Sequence, residues 1–454
     1  MTGSLRLPDL DRRGFLRLTG AVGATAALAA CGGPTVSAPG GGPAAVEKVD
    51  FSGVKPAATI TFWSNNPGSS GAVTQQIIDA YQAANPGTKV NLVTAGANYE
   101  EIAQKFQTAQ TGGQLPDLVV LSDVWWFRYY MQRSIIPLDS AISAAGIELA
   151  DYREGLVKDY QYAGAQWAIP WARSTPLFYY NKTHWATAGL PDRAPTSWQE
   201  FAEWAPKLKS AGVGTQNAFQ LPALADYAGW TFQNNLWGEG GGWSKDFTVT
   251  CDSPESVAAL EFIKKSAAPG GWAGVSAKDQ ANDLAAGAVS ATVSSTGSLA
   301  GVLKTVAGKF EVGVGFLPAG SKVDKPVCPT GGAGLGIPKN IPKENQLAAA
   351  NFIKFLTSPE NAVLFSGATG YLPIRKSAKI DALIAKTPQA KVAIDQLAVT
   401  RPQDNARVFF PGADGEMAKA AAKMLNEQAD VAATMATLKT TLTNIYEQQV
   451  KPNL

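Results

Sequence analysis

"ATITFWSNN", residues 58–66, crowds β-branched and aromatic side chains into a short run that closes on polar turn formers, the pattern of a strand. The next stretch, "GAVTQQIIDAYQAANPG" (71–87), changes period. Val73, Ile77, Ile78 and Tyr81 recur at helical spacing, and Pro86-Gly87 stops the run. "KVNLVTAG" (89–96) returns to a strand, "YEEIAQKFQTAQTGG" (99–113) to a helix with a glycine stop, and "PDLVVLSD" (116–123) to a third strand. Strands that alternate with helices and are apolar nearly throughout predict an α/β fold with a mostly parallel sheet covered on both faces.

The alternation recurs further along. "TSWQEFAEWAPKLKSAG" (196–212) reads as a helix, with Thr196 and Gln199 spaced as a capping box. "DSPESVAALEFIKKSA" (252–267) and "TSPENAVLFSGATGYL" (357–372) each place a capping serine before a first-turn proline. "AAGAVSATVSSTGSLAG" (285–301) is a strand running into a polar turn, and "FEVGVGFLPAG" (310–320) is another strand. "TGGAGLGIPKN" (330–340) is a glycine-rich strand, "ENQLAAANFIKFLT" (344–357) a helix, and the chain from about Gly415 reads as outer helices.

At 454 residues the chain exceeds one ordinary core, so two domains are expected. With 45% hydrophobic and 17% charged residues it reads as a soluble globular protein. Residues 1–30 carry Arg6, Arg12, Arg13 and Arg17 against Asp9 and Asp11, which accounts for the whole net charge of +2. The remainder is neutral, which argues against nucleic acid or an anionic membrane as partner.

The start has the order of an export signal. "DRRGFLRL" (11–18) sets paired arginines before hydrophobic residues, as twin-arginine leaders do, and Leu18 to Ala30 is apolar but too short to span a bilayer. "LAAC" (28–31) resembles a lipobox, which makes Cys31 the lipidation site. "GGPTVSAPGGGPAAVEK" (32–48) has too little hydrophobic bulk to fold and reads as a tether. The expected plan is a signal peptide at 1–30, a flexible linker at 31–57, and a body held to the outer face of the cytoplasmic membrane. Cys251 and Cys328 either pair or stay as buried thiols.

His184 is the only histidine, so histidine triads and multi-histidine metal sites are hard to build. "GGAGLG" (331–336) leads into "IPKN", not a helix start, and is no phosphate loop. No catalytic residue, metal or cofactor is indicated. What the chain has in excess is aromatic residues, 12 Trp and 12 Tyr, several in polar company at 122–130, 226–238 and 369–375. Flat apolar faces beside Asp, Asn and Arg suit polyols, sugars or a quaternary ammonium group.

In this order, "FWSNNPG", "PDLVVLSD", "ARSTPLFYYNK", "SSTGSLAG", "TGGAGLGIP" and "TGYLPIRKSA" resemble the family 1 extracellular solute-binding proteins of ABC importers. Within it they are most similar to the branch that captures glycerophosphodiesters such as glycerophosphocholine, or glycerol 3-phosphate. The resemblance covers about 58–450. It implies a two-lobed, type II periplasmic-binding-protein-like fold with ligand in the cleft and three hinge crossings near Trp171–Thr175, Ser295–Ser298 and Gly332–Pro338. Lobe 1 would hold 58–172 and 299–335, and lobe 2 would hold 173–298 and 336–454.

The resemblance also carries over ligand-binding positions. Tyr99, Asp123, Ser174, Ser298, Gly331, Gly332, Tyr371 and Arg407 match the family's site motifs. Trp230 matches the aromatic expected near a choline, and Tyr227 lies one turn earlier. By the chemistry of these groups, Arg407 would meet the phosphodiester as a charged fork and Asp123 would accept from glycerol hydroxyls. The implied partners are a small-molecule ligand and ABC permease subunits in the membrane, with the protein a monomer. A sugar- or oligosaccharide-binding importer protein is the near alternative, and a secreted hydrolase the distant one.

Overall fold

The computed structural model describes residues 48–65, 69–214 and 216–454, with the side chains of residues 69, 226 and 227 outside the description. The expected leader, Cys31 and most of the tether lie outside the described residues. The tether ends earlier than 57. Phe51 is buried in the core, and the Ala57 amide donates to the Glu344 carbonyl at 2.9 Å, so the folded body already includes this stretch.

Two five-stranded sheets organise the body. The first takes β1 (Thr59–Ser64), β2 (Lys89–Thr94), β3 (Leu118–Ser122), β4 (Ile169–Ser174) and β10 (Gly331–Gly336), in the order β2-β1-β3-β10-β4. The second takes β5 (Pro176–Asn181), β6 (Asn217–Leu221), β7 (Ala273–Val275), β8 (Val289–Ser295) and β9 (Val312–Gly315), in the order β7-β6-β8-β5-β9. Each sheet is mostly parallel, as expected, with one strand of the five reversed. In the first, β1 pairs parallel with β2 and β3, but β10 lies antiparallel to both β3 and β4. In the second, β6 is parallel to β7 and β8, while β5 is antiparallel to β8 and β9. The reversed strands, β10 and β5, are the ones that enter their sheets directly from the other lobe.

Helices cover these sheets where the sequence periodicity places them. α1 (Ser69–Ala84) buries Ile77, Ile78 and Tyr81, and Tyr81 meets Phe352 edge-on at 5.1 Å. Each of the two fully buried isoleucines contributes about 1.5–3 kcal/mol by leaving water. α2 (Tyr99–Gly112) is capped by Asn98, whose side chain accepts from the Glu101 amide, and ends at Gly113 with φ +74. In α4 (Trp198–Ser210) the capping box sits one residue later than expected. Ser197 accepts from the Glu200 amide at 3.1 Å, and Glu200 reaches back to the Thr196 amide at 2.6 Å. Here α3 denotes Trp126–Met131, α5 Leu224–Gly238 and α6 Lys343–Leu356. α7 (Pro359–Thr369), α8 (Asn405–Val408) and α9 (Ala413–Leu425) follow.

Two stretches after 298, 299–315 and 336–375, lie in the other lobe from the one expected. Residues 299–315 stay with the second sheet: β9 pairs with β5, and Leu299, Val302 and Val306 pack with Leu177 and Tyr179. Gly331 to Arg375 belongs with the first lobe, because β10 completes that sheet, α6 packs on β1 and α1, and Arg375 bridges to Tyr152. The chain returns to the second lobe before Gln389–Asp395, which packs on β9. It therefore crosses at Ser174–Pro176, between Gly315 and Gly331, and between Lys376 and Gln389. Ser295–Ser298 is not a crossing but a 3₁₀ turn laid against the first one, with the Thr296 amide on the Thr175 carbonyl at 2.9 Å.

Cys251 and Cys328 are both free and buried, so no bridge forms between them. Burial pushes the Cys251 thiol up to about 12, and Cys328 is raised for the same reason. His184 has its Nδ1 3.0 Å from Ser290 Oγ, and burial lowers its pKa. It is a satisfied structural residue of the second lobe.

Candidate functional site

The turn after β3 sets the first side chain of the site. All five residues of β3 are buried, and the Asp123 amide that follows donates to the Gly332 carbonyl at 3.0 Å, which aims the carboxylate toward the crossings. Asp123 is 8% exposed. Its Oδ2 takes a hydrogen bond from Gln403 Nε2 and lies 3.5 Å from Arg407 Nη1. Gln403 and Arg407 stand on and just before α8, which packs with the second lobe through α9. Asp123 is therefore held from the opposite lobe.

Arg407 was expected to offer its fork to a phosphodiester. Its Nε and Nη2 instead grip Asp414 at 2.8 and 3.3 Å, while Nη1 donates to Gln403 Oε1. With its fork on Asp414 and one further donor on the glutamine, the guanidinium offers a ligand its charge more than a bidentate contact. Gln403 has its amide oriented by chemistry on both sides, nitrogen to a carboxylate and oxygen to a guanidinium. Gln233 of α5 adds a donor to the same Oε1 at 3.1 Å and accepts from the Asp404 amide at 2.9 Å.

The two expected tyrosines meet. Tyr99 begins α2 and Tyr371 follows α7, and their hydroxyls lie 3.3 Å apart, both rings half-buried. Burial and then the partner hydroxyl hold Tyr99 well above its ordinary range, and burial raises Tyr371, so both stay neutral donors. The Tyr371 ring stacks on Phe365 at 5.8 Å and covers Gly297, where a Cβ would come within 2.9 Å of it. That contact brings the Ser298 turn to the tyrosine pair. Ser298 is half-buried and its Oγ accepts from Ser294 Oγ at 3.3 Å. Ser174 ends β4 opposite Gly331, buried, with no hydrogen bond to its hydroxyl among the described residues.

Trp230 on α5 donates its indole N–H to the Thr330 carbonyl at 2.9 Å, and its ring occupies the space where Gly331 would carry a Cβ, 2.5 Å away. Gly332 has φ +95, and a Cβ there would strike the Ala172 carbonyl at 2.1 Å. Ring packing and backbone conformation, not only close approach of a ligand, thus account for the glycine pair. The Tyr227 side chain lies outside the described residues.

Sequence reasoning missed a second buried charge cluster one strand away. Arg173, fully buried in β4, donates to Asp159 Oδ2 and to Tyr160 Oη at 2.8 Å, and Thr330 Oγ1 donates to the same Asp159 oxygen at 2.7 Å. Burial alone would lower the guanidinium, but Tyr160, Asp159 and Asp123 hold it charged, while burial raises Asp159 against the pull of Arg173. The cluster joins the first crossing (Arg173) to the second (Thr330). Gln403 was missed too. Its one sequence signal is its place four residues before Arg407, which becomes informative only once the 403–407 turn is known.

Two cavities lie away from this site. One, of about 20 Å³ among Trp198, Phe219, Phe232 and Trp272, is apolar and barely water-sized. Another, about 810 Å³, lies where Lys48–Val54 meet Asp139–Ala144. No group of three or more His, Cys, Asp or Glu among the described residues could hold a metal ion, and no described helix is long and apolar enough to cross a membrane.

Comparison with known proteins matches this architecture. The family model for the bacterial extracellular solute-binding protein matches residues 76–392. UgpB of Mycobacterium tuberculosis, solved in complex with glycerophosphocholine, superposes with a TM-score of 0.82 at 42% identity, covering 87% of this chain and all of that one. The sn-glycerol-3-phosphate-binding periplasmic protein UgpB of Escherichia coli K12 is 29% identical over 358 residues, 75% of this chain and 80% of that protein. Maltose-bound MalE3 of T. maritima, at 22% identity and a TM-score of 0.75 over 86% of this chain and all of that one, shares the fold. The relatives are substrate-binding transport proteins, and the family is exported. Two lobes, a polar site where the chain crosses between them, and these matches together place the chain in the bacterial extracellular solute-binding protein family.

Proposed function

We propose that this protein captures a glycerophosphodiester, glycerophosphocholine foremost, between its lobes and delivers it to the permease of an ABC importer. The observation that carries the reading is the cross-lobe meeting of Asp123 with Gln403 and Arg407. It sets a carboxylate for hydroxyls and a buried positive charge within one site, and the 42% identical relative was solved with glycerophosphocholine. In this reading Asp123 accepts from the glycerol diol. Ser174, Ser298 and the two tyrosines donate to the phosphate, Arg407 balances its charge from behind Gln403, and Trp230 and Tyr227 face the trimethylammonium. Closure by hinge motion at the three crossings would then present the loaded form to the permease. Cys31 is proposed to carry the lipid anchor, and two or three acyl chains are needed to hold it, since one is marginal.

Isothermal titration calorimetry on residues 48–454 tests the reading, with glycerophosphocholine, glycerol 3-phosphate, maltose and trehalose. Saturable heat with glycerophosphocholine is expected. Binding to a disaccharide alone would move the ligand class to sugars.

A further inference from the structure

The Asp123 carboxylate is held asymmetrically. Oδ2 takes Gln403 Nε2 and has Arg407 Nη1 at 3.5 Å, whereas Oδ1 accepts no hydrogen bond among the described residues and is not sealed from solvent. The residue that does the holding stands on a rigid base. Gln403 is 7% exposed, and its neighbour Asp404 accepts from Trp237 Nε1 at 3.0 Å and from the Trp243 amide at 2.7 Å. Just before them, Thr400 and Arg401 pair with Cys328 and Pro329, beside the second crossing. Just after them, Phe409 reaches to the first lobe a second time, its ring 4.3 Å from Phe127 and 5.8 Å from Trp126. Residues 403–409 thus touch the opposite lobe at a polar point and at an aromatic one.

We propose that Gln403 is a positioning residue for ligand recognition: reaching across the cleft, it takes Oδ2 of Asp123 and fixes the carboxylate so that Oδ1 alone is presented to a polyol. The amide supplies what a second arginine could not, a neutral donor to the carboxylate and an acceptor that keeps Arg407 at hand. Because the donor comes from the second lobe, Asp123 is fixed only when the lobes are together, and hydroxyl recognition is completed by closure. A carboxylate with one fixed free oxygen selects for hydroxyls at a defined place, whereas a freely turning one accepts many arrangements. The inference rests on the reading of Asp123 as the hydroxyl acceptor.

The test compares wild type, Gln403→Leu and Gln403→Glu against two ligands, glycerophosphocholine and phosphocholine, which keeps the phosphate and trimethylammonium but has no diol. Gln403→Leu is expected to weaken glycerophosphocholine at least tenfold and phosphocholine less than twofold. Gln403→Glu, which keeps a partner for Arg407 but sets a second carboxylate against Asp123, should lose more. In an Asp123→Ala background Gln403→Leu should cost less than a further twofold. Equal losses on both ligands, or full additivity with Asp123→Ala, would overturn the proposal.

The wild-type titration judges the glycerophosphodiester reading separately. If that fails, the same comparison is made with whichever polyol of the titration series binds: Gln403→Leu should weaken it at least tenfold in the wild-type background and less than twofold in the Asp123→Ala background. An equal loss in both backgrounds would show that the glutamine does not act through the carboxylate.

Discussion

Arg173 and Arg407 are both buried, both paired to aspartate, and both within reach of the cleft, yet they are built differently. Arg173 lies wholly inside the first lobe's wall, 0% exposed, between Asp159 and Tyr160. Arg407 spans, with Asp414 on its own lobe and Asp123 on the other, and Asp414 keeps 26% of its side chain exposed. The first arginine has both partners on its own lobe, so its contacts do not depend on the facing one. The second touches the facing lobe through a 3.5 Å contact and a shared glutamine, which hinge motion can make and break. The same guanidinium chemistry serves as a rivet in one place and as a clasp in the other, and what separates them is which lobe the partner carboxylate belongs to.

The rivet gives the largest expected effect. Arg173→Ala leaves Asp159 buried without its partner and should cost about 3–5 kcal/mol of stability, read as a drop in the urea midpoint. Adding Asp159→Asn should recover part of it. Arg407→Ala should cost less stability, because Asp414 can turn to water, but it should weaken a glycerophosphodiester by about 2–5 kcal/mol in calorimetry. If the two variants lose stability equally and Arg407→Ala binds as wild type, the distinction between rivet and clasp is gone.

Trp230→Ala comes next. If its face meets the trimethylammonium, glycerophosphocholine should lose about 1–2 kcal/mol more than glycerol 3-phosphate does. Equal losses would make Trp230 only the packing partner of Gly331.

Much of this was legible in the sequence, and the rest was hidden for a definite reason. Period and turn residues gave β1 to β3 with their helices, and the family resemblance gave Tyr99, Tyr371, Asp123 and Arg407, of which the structure brings the two tyrosines together and sets Arg407 beside Asp123. Local patterns failed where a partner is distant in the chain. Nothing near Leu299 says that the chain stays with the second sheet, and nothing after Gly336 says that it stays with the first, which is why 299–315 and 336–375 were assigned to the wrong lobes. Gln403 and Asp159 carry no motif, and each acquires its role from residues 280 and 171 positions away. The glycine pair was read as clearance for a ligand, when the ring of Trp230 fills the space at Gly331 and the Ala172 carbonyl that at Gly332.

A third arginine sharpens the comparison at its weakest end. Arg193 grips Glu200 at 2.6 Å on the surface, with 46% of its side chain exposed, and the contact sits on the capping box of α4. The Arg193 hydrogen bond comes first and the Thr196 amide and hydroxyl add to it, holding Glu200 at about 2 against an ordinary 4.5. A carboxylate depressed in the folded state stabilises fully above its unfolded value, so this contribution is present above pH 4.5 and fades as pH falls toward 2. Solvent screens an exposed pair, so Arg193→Ala should cost less than about 1 kcal/mol at neutral pH. It should also flatten stability between pH 4.5 and 2, as measured by thermal unfolding in a pH series, because Glu200 then titrates closer to its ordinary range. A loss at neutral pH as large as that of Arg173→Ala would mean that geometry outranks burial, and the ordering of the three arginines would collapse.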